Sequence, residues 1–162
     1  MKNILKTLAF MVIGLAMTSI VACEKDDTDT PSYAIHYNGA VVADGETIVY
    51  NPGLNEINMD WATIELLPEN KTSNTLETVM KIELVEGPAD MNDLSICYGE
   101  TCKTGVAPWT SDPFNLTAGL NQNMLIKFDY TPSKVTEKTT YRLTLGNGSS
   151  MKNPYVVYIN VN

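Results

Sequence analysis

Residues 76–85, LETVMKIELV, decide the fold: Leu76, Met80, Ile82 and Leu84 fall on one parity, and Glu77, Lys81 and Glu83 on the other. Successive side chains of a strand point to opposite faces, so this pattern predicts a strand with one buried and one wet face. It recurs along the chain. Met124, Ile126, Phe128 and Tyr130 alternate with Lys127 and Asp129, and Tyr141, Leu143 and Leu145 alternate with Arg142 and Thr144. Tyr155, Val157, Ile159 and Val161 close the chain in the same way. Shorter candidates are residues 34–37, 47–50, 57–67 and 94–98; within the third, Trp61 shares parity with Ile57 and Met59 and reads as core.

Turn signals separate these runs: Asn51, Pro52 and Gly53; Glu86, Gly87 and Pro88; Gly146, Asn147 and Gly148. Beyond the first 22 residues no segment carries a helical apolar stripe. The expectation is an all-β fold, a two-sheet antiparallel β-sandwich of seven to nine strands, with a closed barrel as the alternative. A sandwich of this kind resembles the immunoglobulin and fibronectin type III folds, without the buried Cys-Trp-Cys pin of an antibody domain.

The start of the chain has a different character. Lys2 and Lys6 precede an apolar stretch over residues 8–20, and Ile20, Val21 and Ala22 lead into Cys23, followed at once by Glu24, Lys25, Asp26 and Asp27. This order resembles a bacterial lipoprotein signal, with Ile20 where leucine is commoner. The resemblance implies that residues 1–22 are removed, that Cys23 is acylated, and that the lipid anchors the protein in a membrane. The acidic run at Lys25, Asp26 and Asp27 resembles the surface-export signal of Bacteroidota lipoproteins, which implies display on the outer-membrane surface; the periplasmic face is the alternative. Residues 23–32 then read as a disordered acidic tether and residues 33–162 as one domain. The apolar stretch is shorter than the ~20 residues a membrane-spanning helix needs.

Removing residues 1–22 takes away two lysines and no acid, leaving nine basic residues against 19 acidic ones, a net charge of −10. Arg142 is the single arginine, and the lysines are scattered. Nucleic acid needs clustered cations, so it is excluded as a partner, and anionic headgroups offer no direct hold.

With Cys23 spent on lipid, Cys97 and Cys102 remain as a pair in an oxidising compartment and are expected to form a structural disulfide. A redox pair would favour the Cys-X-X-Cys spacing, and a metal site would need more nitrogen or sulfur ligands than His36 alone supplies. The segment from Cys97 to Cys102, CYGETC, with the apolar loop and the NLTAG turn that follow, resembles a recurring arrangement in small lipid-anchored sandwich domains of the Bacteroidota. That resemblance implies a fold and an address more than an activity.

Catalytic chemistry finds little support. His36, the one histidine, sits in the first candidate strand, and there is no Gly-X-Ser-X-Gly elbow or phosphate-binding glycine loop. Glu65, Glu69, Glu83 and Glu86 fall on an expected acidic outer face, and Asp90 to Asp93 lack the ligand order of a calcium loop. No metal, cofactor or enzymatic activity is expected.

The loop over residues 104–114, TGVAPWTSDPF, carries the sharpest functional reading. On its surface Trp109 would stack on a sugar or anchor a protein, with Tyr98 and Asp112 beside it. The competing reading folds Trp109 back as a plug at one end of the sandwich. The sequence thus describes a monomeric, lipid-anchored envelope protein that acts as a non-enzymatic binding or accessory module, with a glycan or another envelope protein as ligand. The alternative is a structural or adhesin-like subunit, in which an edge strand such as residues 155–161 adds to a neighbouring sheet.

Overall fold

The structure is a computed structural model and describes residues 31–51, 62–87, 94–105, 108–130 and 138–161. The signal, Cys23, Trp61 and the loop from Asp90 to Asp93 lie outside the described residues. Among the described residues thirteen strands follow one another: β1 (Tyr33–Tyr37), β2 (Ala40–Val42), β3 (Thr47–Tyr50), β4 (Ala62–Asn70), β5 (Leu76–Glu86), β6 (Leu94–Tyr98) and β7 (Thr101–Thr104) in the first part. The rest are β8 (Trp109–Thr110), β9 (Phe114–Leu116), β10 (Gly119–Leu120), β11 (Ile126–Tyr130), β12 (Thr139–Asn147) and β13 (Lys152–Val161). The count exceeds the expected seven to nine because β2, β8, β9 and β10 are only two or three residues long, too short to show an alternation.

Two sheets result. One runs β2-β1-β4-β11-β6-β7 with β10 added to β4; the other runs β3-β13-β12-β5-β8 with β9 added to β5. Among the described strands the pairings are antiparallel except β3 with β13, where Ile48 faces Ile159 in parallel register; an isolated bridge between Asn70 and Ala118 is also parallel. The chain reaches that position by leaving the first sheet after β2 and crossing to the second, so no hairpin constrains its direction. The expectation of a two-sheet sandwich therefore holds, with this one parallel pair. As an edge strand, however, residues 155–161 are a correction: β13 lies between β12 and β3, and its main chain is already engaged.

The core forms where the inward parities meet. Ile82, Leu143, Leu145, Val157 and Ile159 from the second sheet pack with Ile64, Leu66, Ile126 and Phe128 from the first, all at most 1% exposed. Phe128 and Tyr141 join the sheets ring to ring, with centroids 4.7 Å apart. Two hydroxyls also bridge them: Tyr33 Oη lies 3.3 Å from Thr78 Oγ1, and the Tyr155 hydroxyl donates to the Val42 carbonyl. The β1–β2 hairpin turns at Asn38 and Gly39, with φ of +50° and +79°, the positive pair that a tight two-residue hairpin requires.

Gly146 fixes the end of the longest hairpin. β12 is bulged there, and an added Cβ would stand 2.6 Å from Met151 Cα and 3.0 Å from its carbonyl carbon. Those are main-chain atoms, so no rotamer change relieves the clash. We expect Gly146→Ala to cost at least ~1–3 kcal/mol in urea unfolding; an unchanged midpoint would show that the hairpin is not held this closely.

Burial pushes the Tyr141 phenol from 10.0 up to about 12. The folded state then keeps a proton that the unfolded chain has lost, so stability is full below pH 10 and falls as the pH rises towards about 12. We expect Tyr141→Phe to remove about 2–3 kcal/mol of that alkaline loss, measured by denaturant melts on either side of this window.

Candidate functional site

The expected site at the loop end takes a different form. Tyr98 is 5% exposed and Trp109 6%, with ring centroids 5.8 Å apart, and Phe114 packs on Tyr98 at 4.9 Å. Lys103 Nζ sits 5.6 Å from the Trp109 ring centroid. Neither ring keeps an open face for a sugar or a partner, so the structure places them as the plug rather than the platform. Asp112 is exposed. Burial first, and the Asp112 charge second, push the Tyr98 phenol upward.

The local chain explains this burial. Trp109 pairs with Ile82 and Thr110 with Lys81, while Ser111 exchanges two bonds with Met80: its amide donates to the Met80 carbonyl at 2.8 Å, and its Oγ accepts the Met80 amide at 2.9 Å. Phe114 then pairs with Thr78. Residues 109–116 thus form a broken edge strand along β5, with Asp112 and Pro113 pushed out opposite Val79. Pro113 has no N–H to give to a ladder, which is why the strand breaks there.

The cysteines face each other across the β6–β7 hairpin, with Cys97 paired to Cys102 and bonded to it. The connection is Gly99 and Glu100, with Gly99 at φ +57°. The disulfide therefore holds a two-residue turn.

Other chemistry-bearing groups are engaged singly. His36 Nε2 lies 2.8 Å from Glu69 Oε2, Lys127 pairs with Glu65 at 3.3 Å, and Lys138 with Glu86 at 3.2 Å. Among the described residues no group of three or more His, Cys, Asp or Glu is placed to hold a metal, and no helix is long and apolar enough to cross a membrane.

A depression of about 530 Å³ lies instead on the outer face of the second sheet. Its floor comes from three adjacent strands through the ladder register: Arg142 of β12 stands between Glu83 of β5 and Tyr158 of β13, and Thr144 stands between Lys81 and Val156. Arg142 donates from Nε to Glu83 Oε2 at 3.0 Å and from Nη2 to the same oxygen; it also donates to the Tyr158 hydroxyl. Lys81 Nζ donates to Glu83 Oε1 at 2.8 Å. The two cations hold the Glu83 carboxyl below the usual carboxylate range, Lys81 contributing most. Arg142 and Lys81 remain 40% and 38% exposed, so both stay accessible from solvent.

Two turns wall the depression. On one side the Gly45 amide donates to the Val156 carbonyl and the Val156 amide to Asp44 Oδ1, each at 2.7 Å. On the other side stand Met151 and Pro154 of the β12–β13 hairpin. The volume falls within the range of small-molecule sites. Sequence reading isolated Arg142 as the single arginine and placed it on the outer parity, but could not see its neighbours.

No family model matches the chain, and no curated protein matches it. Solved structures do resemble it. The N-terminal domain of PorA superposes with a TM-score of 0.59 at 13% identity, covering 80% of this chain and 95% of that one. The fold is thus a two-sheet β architecture shared with that domain. The CooA pilin subunit from enterotoxigenic Escherichia coli (TM-score 0.40, 12% identity, covering 82% of this chain and 98% of that one) and a PapD-like domain of human CEP192 (0.38, 6%, 96% and 93%) resemble it more distantly.

The placement of Trp109 and Asp112 separates core from surface. We expect Trp109→Ala to cost ~3–5 kcal/mol and Asp112→Ala to stay within about 0.5 kcal/mol of wild type, both by chemical denaturation. A small loss at Trp109 would return that ring to the surface.

Proposed function

We propose that this protein is a non-enzymatic recognition module, held at the outer-membrane surface by lipid on Cys23, that works as a monomer and meets its ligand on the outer face of β5, β12 and β13. The observation that carries the reading is the arrangement around Arg142. The chain's single arginine stands outside the core, at the centre of a concave face, with donors left over after Glu83 and Tyr158 are served. An exposed ion pair contributes little stability, so the pair's placement in a walled depression supports recognition better than structure. The address rests on the lipoprotein-like signal.

A structural or adhesin-like subunit is the second reading, favoured by a separate feature. Among the described residues β2 and β3 are sheet edges, and a groove of about 270 Å³ lies between them, with Val41 and Val49 58% and 57% exposed. Uncharged edges of this kind are templates for added strands.

One experiment separates the two. The full chain, produced in cells with a labelled fatty acid, is recovered from envelopes and used to capture partners from envelope extract. Beside it run Cys23→Ala, Arg142→Gln and a Val41→Lys/Val49→Lys edge variant. We expect label only when Cys23 is present, and capture that is lost in Arg142→Gln but kept in the edge variant. Loss of capture in the edge variant, with concentration-dependent association of the parent, would favour the assembly subunit.

A further inference from the structure

We infer that the depression over β5, β12 and β13 binds a carboxylate-bearing sugar, its acid group on Arg142 and Lys81 and its ring against the apolar surface of Met151, Pro154 and Val156. The inference rests on the recognition reading and names its ligand class.

The charge arrangement points to an acid group. The ion pairs at His36, Lys127 and Lys138 each join one cation to one carboxylate. At Glu83 two cations share one carboxylate, one on each oxygen; Asp44 at the rim balances the lining as a whole, so the positive charge is local to the floor at Arg142 and Lys81. Guanidinium and ammonium donors to a carboxylate make short, charge-assisted bonds, and the guanidinium fork keeps its orientation because Glu83 and Tyr158 already hold it.

The remaining lining points to a sugar. A simple anion calls for donors alone, yet Asp44 stands at the rim and the Thr144 and Tyr158 hydroxyls lie on the floor, offering acceptors for ligand hydroxyls. Met151, Pro154 and Val156 add apolar surface, as the C–H face of a pyranose requires. An extended peptide finds no main chain to pair with: β12 lies between β5 and β13, β5 is also paired to β8 at Lys81, and β13 to β3 at Tyr158. Recognition here runs through side chains.

The test uses the mature chain from Cys23 with Cys23→Ser, so that it stays unacylated, on an array of uronate- and sialate-bearing oligosaccharides beside their carboxyl-reduced and neutral parents. We expect binding to acid-bearing members, at least about tenfold weaker binding to the parents, and losses of about tenfold or more in Arg142→Gln and in Lys81→Gln. Thermal melts of both variants confirm that they fold; Lys81→Gln keeps the test open if Arg142→Gln does not. Equal binding to acidic and neutral members overturns the acid group, and binding untouched in both variants overturns the site. If no acidic sugar binds while capture from envelope extract still depends on Arg142, the sugar acid is wrong and the recognition reading stands. If neither is seen, both fail.

Discussion

β12 is the strand on which the rest of the molecule depends. It is paired along nearly its whole length on both sides, with β5 and with β13, and its two parities do opposite work. Tyr141, Leu143 and Leu145 point inward and are at most 4% exposed; Arg142 points outward between them. A slip of one residue would bury the guanidinium and expose three large side chains, so the hydrophobic parity fixes the register. That register in turn sets Arg142 beside Glu83 and Tyr158. The site is thus a by-product of core packing: its geometry is rigid because the other face of the same strands is close-packed.

This division explains what could be read from the sequence and what could not. Strands β5, β11, β12 and β13 each alternate over at least five residues, and that signal is local. Trp109 was ambiguous because its strand is interrupted: Ser111 replaces a ladder bond with a side-chain bond, and Pro113 forces the chain out of register. No short window holds that information. The depression was illegible for another reason. Glu83 reaches Arg142 across 59 residues of sequence, Lys81 joins through Glu83, and Tyr158 arrives from the next strand. Sequence supplied each residue's parity; only the sheet order supplies its neighbours.

The edges show a similar limit. Residues 155–161 alternate cleanly, which marks a strand but not its position in a sheet. The turn at Asp44 and Gly45 carries the chain across to pair β3 with β13, so among the described residues β3, and not β13, ends the sheet order. The two proposed roles, recognition on the sheet face and association at the edge, consequently rest on different residues.

On the proposed reading the outer face of β12 has no stabilising role and is open to a ligand. A double-mutant cycle on folding stability with Arg142→Gln and Glu83→Gln measures this, since the two side chains are 40% and 22% exposed. The account predicts a coupling energy below about 1 kcal/mol, as for surface pairs. A coupling of about 3 kcal/mol or more, the scale of a buried pair, would contradict it and make Arg142 part of the fold.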